Sequence, residues 1–276
     1  MSDPKRTIVV HVGGIGDFLL CCPALIRLAE RGPIELLGQP ERLRLAVIAG
    51  IASAAHNIDS VGFESVFGEP SRRLKEFLAP FDRAIIWMKD AGEIKTGFRR
   101  CGIPDVDAFP GIPHTEWASH ATKYYLRCLG FTHSPPLRLP IPPGKRFYDV
   151  IIHPGSGSQY KNWPFDLFKA LSIDLKAQGR YITWCKGPAE EGIHLPEGDN
   201  TLMTPSLEIL AGELAASRLY IGNDSGISHL AASLRCQTVL IFGPTDPNIW
   251  APLGSRVTVV HDRPWPDISA VMRAIE

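Results

Sequence analysis

The chain has 276 residues, which exceeds the ~100–150 residues of a typical single domain, so we expect two domains. Lysine plus arginine equals aspartate plus glutamate at 29 each, a balance that excludes the strong global field that would attract nucleic acid or an anionic membrane. The six cysteines contain no C-x-x-C pair and no apolar segment approaches the ~20 residues that span a bilayer, so we expect a reduced cytoplasmic protein with at most peripheral contact with the inner face of the cytoplasmic membrane.

A first βα unit is predicted at the amino terminus, where a buried strand over 8–12 is followed by a glycine-rich loop and an apolar helix. The loop does not fit the dinucleotide fingerprint G-x-G-x-x-G. Read from Gly14, the third glycine is replaced by Leu19, and Gln39 stands after the next strand where an acidic residue is expected. The sequence therefore argues against NAD. Asp17 begins the helix, where an N-cap or a first-turn charge is its ordinary role and catalysis is the alternative.

Alternating helix and strand signals continue to residue 129, and they include a short strand expected near 60–66. A polar stretch over 90–113 contains Asp105-Val106-Asp107, the D-x-D pattern that can hold a divalent cation on a diphosphate. This pattern follows Cys101-Gly102-Ile103-Pro104 rather than an apolar strand. We interpret it as part of a surface loop, and we predict no metal.

The clearest change in composition lies at 135–144, where five prolines and a glycine crowd into ten residues. We place the domain boundary there and predict an N-terminal domain over 1–140 and a C-terminal domain over 141–276. Both halves alternate helix and strand signals, so we expect α/β domains with parallel sheets.

The C-terminal domain opens with a strand over 148–152 and the loop 153–158, which reads His-Pro-Gly-Ser-Gly-Ser, and Lys161 follows. Small residues let backbone N–H groups approach a ligand and the lysine adds positive charge, and a diphosphate requires both. The spacing differs from G-x-x-x-x-G-K-[ST], which argues against a Walker ATPase. The candidate phosphate-binding residues are Ser156, Gly157, Ser158 and Lys161.

Glu190 follows the next predicted strand, at 181–185. A carboxylate at the carboxyl end of a strand suits the vicinal hydroxyls of a ribose. A solvated charge at the start of a helix is an equally weighted alternative, and the sequence leaves both open.

The stretch 219–247 predicts a strand, a glycine-containing loop, a helix and a second strand. Its loop presents Asp224, Ser225 and Gly226 before the helix, with His229 in the first helical turn. Asp224 and Ser225 suit sugar hydroxyls and His229 suits a phosphate oxygen, and a nucleotide-sugar carries both groups. The alternative is that Asp224 or Ser225 only caps the helix and that His229 packs in the core.

Three segments that lie in order along the chain together resemble glycosyltransferase family 9, the heptosyltransferases of lipopolysaccharide core synthesis. The third segment is highly specific, whereas the first is weak by itself. The segments are Gly16-Asp17 with Pro23-Ala24-Leu25, then 153–158 with Lys161-Asn162-Trp163-Pro164, and finally 222–226 with 229–232 and 242–247.

The resemblance implies a GT-B fold, in which two Rossmann-like α/β domains face each other across a cleft, with the acceptor on the N-terminal domain and the nucleotide-sugar on the C-terminal one. It also implies an inverting, metal-independent transfer without a cofactor, from an ADP-linked heptose to a glycan or glycolipid acceptor such as the lipopolysaccharide core. Asp17 would be the general base, and Lys161 would stabilise the departing diphosphate. The other implied residues are, on the donor side, Ser156, Gly157, Ser158, Glu190, Asp224, Ser225, Gly226 and His229 and, on the acceptor-side loop, Gly13, Gly14 and Gly16.

The chain departs from the family at three positions of its N-terminal half. The family usually has arginine where His11 stands, a small polar residue in place of Gly13 and threonine in place of Cys21. These positions flank the acceptor-side loop, so they bear on the acceptor more than on the donor. Two other functions fit parts of the sequence. A GT-B sugar-nucleotide epimerase or hydrolase would need further carboxylates that the sequence does not clearly offer, and Asp17 and Lys161 argue against a non-catalytic nucleotide-sugar-binding paralogue.

Overall fold

The chain divides into two compact units, 1–135 and 136–276. The division falls between two prolines of the proline-rich stretch, five residues before the predicted boundary. Leu139 belongs to the second unit, because its side chain is buried and its N–H donates to Ser233 O at 3.0 Å. The computed structural model describes residues 5–89, 91–187, 190, 192–234 and 236–275.

The first unit is a parallel five-stranded sheet in the order β3-β2-β1-β4-β5, with helices packed against it. Every residue of β1 is buried, as expected for a central strand of a parallel sheet. The chain passes from β1 to β2 on one side and returns to β4 on the other, so the carboxyl ends of β1 and β4 lie at the switch point. The elements are Thr7–His11 (β1), Ile15–Ala29 (α1), Ile34–Gly38 (β2), Pro40–Ile48 (α2), Ala54–Asn57 (β3), Arg72–Leu78 (α3), Arg83–Trp87 (β4), Ala91–Arg100 (α4), Asp105–Phe109 (β5) and Ala121–Cys128 (α5).

The prediction of a strand near 60–66 is wrong. The region forms two 3-10 helices, Ile58–Ser60 and Phe63–Phe67, and the edge strand β3 lies before them. Gly62, which precedes the second helix, has a φ of 76°, a left-handed conformation that glycine adopts readily and that ends extended structure. Apolar side chains of the segment are nevertheless part of the hydrophobic core. The spacing of such a short apolar run does not distinguish a buried strand from a buried helical turn, which is why the prediction failed.

The D-x-D pattern lies in strand β5 at the sheet edge, so its interpretation as a surface loop is wrong. Arg83 of β4 binds both carboxylates, with Nη2 2.7 Å from Asp107 Oδ2 and Nε 3.5 Å from Asp105 Oδ2. The register of the two strands places Arg83 beside Asp105, which explains the pairing. Among the described residues, no group of three or more His, Cys, Asp or Glu side chains is arranged to hold a metal ion.

The second unit is a parallel six-stranded sheet in the order β11-β10-β9-β6-β7-β8. Its switch point lies between β6 and β9, because the chain leaves β6 toward β7 and returns to β9 on the other side. The register pairs His153 at the end of β6 with Gly222 of β9, so the loops after these strands are neighbours. The elements are Tyr148–His153 (β6), Phe165–Ala177 (α6), Ile182–Cys185 (β7), Asn200–Leu202 (β8), Leu207–Ala215 (α7), Ser217–Asn223 (β9), Gly226–Ser233 (α8), Gln237–Phe242 (β10), Pro247–Trp250 (α9), Val257–His261 (β11) and Ile268–Ile275 (α10).

Each unit thus has the doubly wound parallel topology of a Rossmann-like domain. Across the described part of the chain, no helix combines the length and the hydrophobicity needed to cross a membrane.

Candidate functional site

The predicted general base Asp17 lies in the first turn of α1, at the carboxyl end of the first sheet. Its Oδ2 accepts the N–H of Gly14 at 3.0 Å, so the capping role considered from the sequence is present. The residue is partly exposed. An ionised carboxylate has about four lone-pair sites, so the hydrogen bond from Gly14 N–H does not by itself exclude a role as proton acceptor. Capping and base catalysis are therefore compatible at this residue.

The glycine-rich loop after β1 packs closely against its neighbours. A Cβ on Gly13 would lie 2.9 Å from His11 Cε1 and 3.1 Å from Asp17 Cβ, so the approach of these two side chains requires glycine. Arg42 Nη1 donates to Gly13 O at 2.9 Å and ties the loop to α2. The structure therefore holds the predicted acceptor-side residues close together, with Gly13 and Gly14 on the loop and Gly16 in the first turn of α1.

His11 lies directly beneath this loop, and the sequence singled it out only as a departure from the family. It is 2% exposed, and neither ring nitrogen has a hydrogen-bond partner within the described residues. Its ring packs edge-on against Phe18 at 5.4 Å between centroids. Burial, and then the charge of Arg42, lower the pKa of His11 from 6.5 to about 4. A neutral imidazole thus stands where the family usually has a cation.

In the second unit, the loop after β6 is shaped by its own side chains. The buried Ser156 Oγ lies 2.7 Å from Ser158 O and 2.6 Å from Asn162 Oδ1, and it accepts the N–H of Ser158 at 3.2 Å. Because the hydroxyl has one proton to donate, these contacts commit Ser156 to holding the loop in shape. Gly157 and Ser158 are exposed, so a ligand can reach them from solvent.

Lys161 and Asp224, both predicted on the donor side, form an ion pair that the sequence did not predict. Lys161 Nζ lies 3.1 Å from Asp224 Oδ2, and the two side chains are 29% and 7% exposed. The pair joins the loop after β6 to the loop after β9, 63 positions further along the chain. A diphosphate bound at Lys161 would therefore compete with Asp224 for the same ammonium group.

The loop after β9 combines helix capping with the predicted binding residues. Ser225 is the N-cap of α8, and its Oγ accepts the N–H of Ser228 at 3.2 Å, so the capping alternative holds for this residue. Gly226 is the first residue of the helix, where backbone N–H groups and the helix dipole favour an anion. His229 is buried, as its packing alternative requires.

Asn223, a buried residue that was not among the predicted site residues, fastens the loop after β6 to the end of β9. Its Nδ2 donates to Pro154 O at 2.7 Å, and its Oδ1 accepts the N–H of Trp163 at 2.9 Å. Both of its hydrogen-bonding groups are therefore used to hold the chain on either side of Lys161.

Glu190 is not the solvated charge that one alternative assumed, because it is 1% exposed. Its Oε2 accepts the N–H of Gly187 at 2.6 Å, and its Oε1 lies 3.3 Å from His153 Nε2. Burial raises the pKa of Glu190, but the contacts with His153 and the backbone N–H of Gly187 outweigh burial and hold the pKa below its usual value. The carboxylate is thus ionised and turned inward, and ribose binding by Glu190 stays a prediction.

His153 was missed as a site residue, although it opens the predicted phosphate loop. Its ring is buried, and its Nδ1 lies 3.2 Å from Tyr220 Oη and 3.4 Å from Ser225 Oγ. These contacts come from β9 and from the loop after it, so local spacing does not reveal them. The available signal was a histidine at the end of a buried strand.

The predicted site residues therefore fall into two groups, one in each unit. Gly13 and Gly14 lie in the loop after β1, and Gly16 and Asp17 lie in the first turn of α1. The donor-side residues lie in the loops after β6, β7 and β9, except Gly226 and His229, which lie in the first turn of α8.

The chain has relatives among characterised proteins. It is 31% identical over 113 residues to lipopolysaccharide heptosyltransferase 3 of Escherichia coli, an alignment that covers 37% of this chain and 33% of the relative. The chain thus aligns with about a third of the length of that curated relative.

Two solved structures share the fold. A glycosyl transferase family 9 protein from Veillonella parvula has a TM-score of 0.77 at 17% identity, over 100% of this chain and 96% of that chain. The ADP-heptose lps heptosyltransferase II of E. coli has a TM-score of 0.77 at 15% identity, over 98% of this chain and 97% of that chain. The likeness confirms the predicted fold class, GT-B with two Rossmann-like α/β domains.

The sequence profile described as glycosyltransferase family 9 (heptosyltransferase) matches residues 128–274, more than half of the chain. The matched span contains every predicted donor-side residue, including Lys161 and Asp224. This chain therefore belongs to glycosyltransferase family 9.

Proposed function

We propose that the protein is an inverting, metal-independent glycosyltransferase that moves a heptose from an ADP-linked donor to a lipopolysaccharide-core or related glycan acceptor. Family membership supports the transferase chemistry, and one protein with the same fold is an ADP-heptose lps heptosyltransferase. The observation that carries the proposal is the cluster of anion-binding features around Lys161, all of which lie within the span matched by the family.

The second unit provides what a departing diphosphate needs. Lys161 Nζ supplies a positive charge, and its side chain is exposed enough to turn from Asp224 to a ligand. Exposed backbone at Gly157, together with the start of α8, supplies N–H donors. Positive charge and fixed donors at the site where negative charge accumulates stabilise the transition state.

The first unit provides the proposed base. Asp17 takes the proton of the acceptor hydroxyl as that oxygen forms its bond to the anomeric carbon. The bond from the anomeric carbon to the diphosphate breaks in the same step, so the configuration inverts and ADP leaves. The hydrogen bond from Gly14 N–H orients the Asp17 carboxylate at the start of α1.

The test is a comparison of donor binding with transfer in Asp17→Asn. We expect the variant to bind the donor like the wild type, because Asp17 is assigned to the acceptor side. Binding is read from a thermal-shift panel of ADP-, GDP-, UDP- and dTDP-sugars, in which a ligand that binds the folded state raises its stability. We expect transfer to fall by about 10²–10⁴-fold. Glu41→Gln is a matched control, since Glu41 is an exposed acid in the first turn of α2.

Each alternative outcome has a distinct meaning. Full transfer by Asp17→Asn would show that another group is the base. A thermal shift of the wild type with UDP-N-acetylglucosamine alone would favour an epimerase. Donor binding by the wild type without transfer to any glycan acceptor would favour a non-catalytic paralogue.

A further inference from the structure

His153 is the one described residue whose ring joins the segments after β6, β7 and β9. Nε2 faces Glu190 Oε1 at 3.3 Å, and Nδ1 faces Tyr220 Oη at 3.2 Å and Ser225 Oγ at 3.4 Å. All four side chains are buried. In such an environment, hydrogen-bonded groups depend strongly on one another, because an unpaired polar group is costly.

Two glycines connect the groups around His153 to the backbone of the strand ends. A Cβ on Gly155 would lie 1.5 Å from Glu190 Oε1, and a Cβ on Gly222 would lie 2.6 Å from Tyr220 Oη. The backbone of each strand end therefore rests directly on a group that His153 contacts. Movement of Glu190 or Tyr220 would move the loop that starts at Gly155 or the loop that follows Gly222.

Ser225 extends the same argument to α8. Its Oγ lies 3.0 Å from Ser228 Oγ and caps the first turn of the helix, while its other neighbour is His153 Nδ1. The orientation of the helix start is thus linked to the imidazole. The two backbone surfaces to which the proposed function assigns the diphosphate are both linked to this one ring.

We propose that His153 is a positioning residue for the donor diphosphate. It does not touch the ligand; it fixes the spacing between the 155–158 loop and the start of α8, so that the N–H groups of both meet one diphosphate. This inference rests on the proposed function and adds to it a residue that acts on the phosphates and not on the nucleoside.

The test measures the affinities of ADP, UDP and inorganic pyrophosphate by calorimetry in wild type and His153→Phe. Because the diphosphate is common to the three ligands, we expect the variant to weaken all of them by the same factor, about tenfold or more. In steady-state transfer assays, the donor KM should rise while the acceptor KM stays constant. A residue needed only for folding would not produce this split.

Two conservative variants separate the two sides of the ring. His153→Asn keeps a polar atom near the Nδ1 position and His153→Gln keeps one near Nε2, so each should recover part of the pyrophosphate affinity. They also carry the test if His153→Phe does not fold. His261→Phe is the control, because His261 ends the edge strand β11 of the same sheet and contacts only backbone in the hydrogen bonds of the described residues, at Gly243 O.

The results that overturn the inference are specific. Unchanged pyrophosphate affinity in folded His153→Phe refutes it, and so does a loss confined to ADP and UDP, which would place the effect on the ribose through Glu190. If the wild type binds none of the three ligands, the proposed function fails and the inference fails with it. If the wild type binds the ligands and His153→Phe binds them with the same affinity, the inference is rejected while the proposed function stands.

Discussion

Replacement of His11 by phenylalanine should remove a pH-dependent loss of stability from the first unit. His11 is 2% exposed, and the groups that face it are Arg42, Asp17 and Tyr125. Burial, and then the charge of Arg42, lower its pKa from 6.5 to about 4, so the folded protein resists protonation that the unfolded chain accepts. The contribution of His11 to stability is therefore complete above pH 6.5 and declines as the pH falls toward 4.

The size of the effect follows from the shift. One pKa unit corresponds to ~1.4 kcal/mol, so the full shift is worth about 3 kcal/mol, and about 2 kcal/mol of it should be lost between pH 7.5 and pH 5. His11→Phe should lose about 2 kcal/mol less than the wild type over this range. The comparison uses the change in the free energy of unfolding between the two pH values. Any packing cost of the phenylalanine ring that does not depend on pH therefore cancels.

The assay is urea denaturation at the two pH values, followed by hydrogen exchange and mass spectrometry. Peptides that cover β1 report the opening of the first unit separately from the second. His133→Phe is the control, since His133 is an exposed histidine of the same unit. Equal pH dependence in wild type and His11→Phe would refute the reasoning, because it would mean that the ring titrates alike in the folded and unfolded chain.

Three further predictions concern the second unit. Gly155→Ala should lower the free energy of unfolding by about 3 kcal/mol, because its Cβ would displace the buried Glu190 carboxylate, and it should cost much less in a Glu190→Ala background, as urea denaturation would show. Lys161→Ala should weaken ADP binding by about tenfold or more in calorimetry, whereas Lys169→Ala on α6 should not. Ser206→Ala should cost about 1 kcal/mol in urea denaturation, because Ser206 Oγ accepts the N–H of Ile209 at the start of α7.

The order of the elements that position the site could be predicted, because buried parallel strands are continuous apolar runs that end at small or polar residues. Strands β6 and β9 have this pattern, and the loops after them begin one or two residues later than the sequence indicated, because β6 includes His153 and β9 includes Asn223. The two errors have opposite causes. Strand β5 was hidden by the polar side chains that an edge strand tolerates, whereas 60–66 is apolar because it packs in the core without being a strand.

The contacts within the site could not be predicted, because strand order and register create them. Lys161 meets Asp224 only because β6 and β9 are neighbours in the sheet. Glu190 could have turned to solvent at the end of its strand. It turns inward because Gly155 has no Cβ and so leaves room for the carboxylate, and because His153 Nε2 lies 3.3 Å from Glu190 Oε1.

The ion pair between Lys161 and Asp224 gives these residues linked roles in the proposed transfer. Asp224 is 7% exposed, so the lysine stabilises a carboxylate that would be costly to bury alone. A diphosphate that draws Lys161 away must leave Asp224 with other donors, and the sugar hydroxyls predicted to bind there are such donors. After transfer, ADP alone would hold the lysine without compensating Asp224 and would add like-charge repulsion. The same pair should therefore favour binding of the intact donor and release of the nucleotide product.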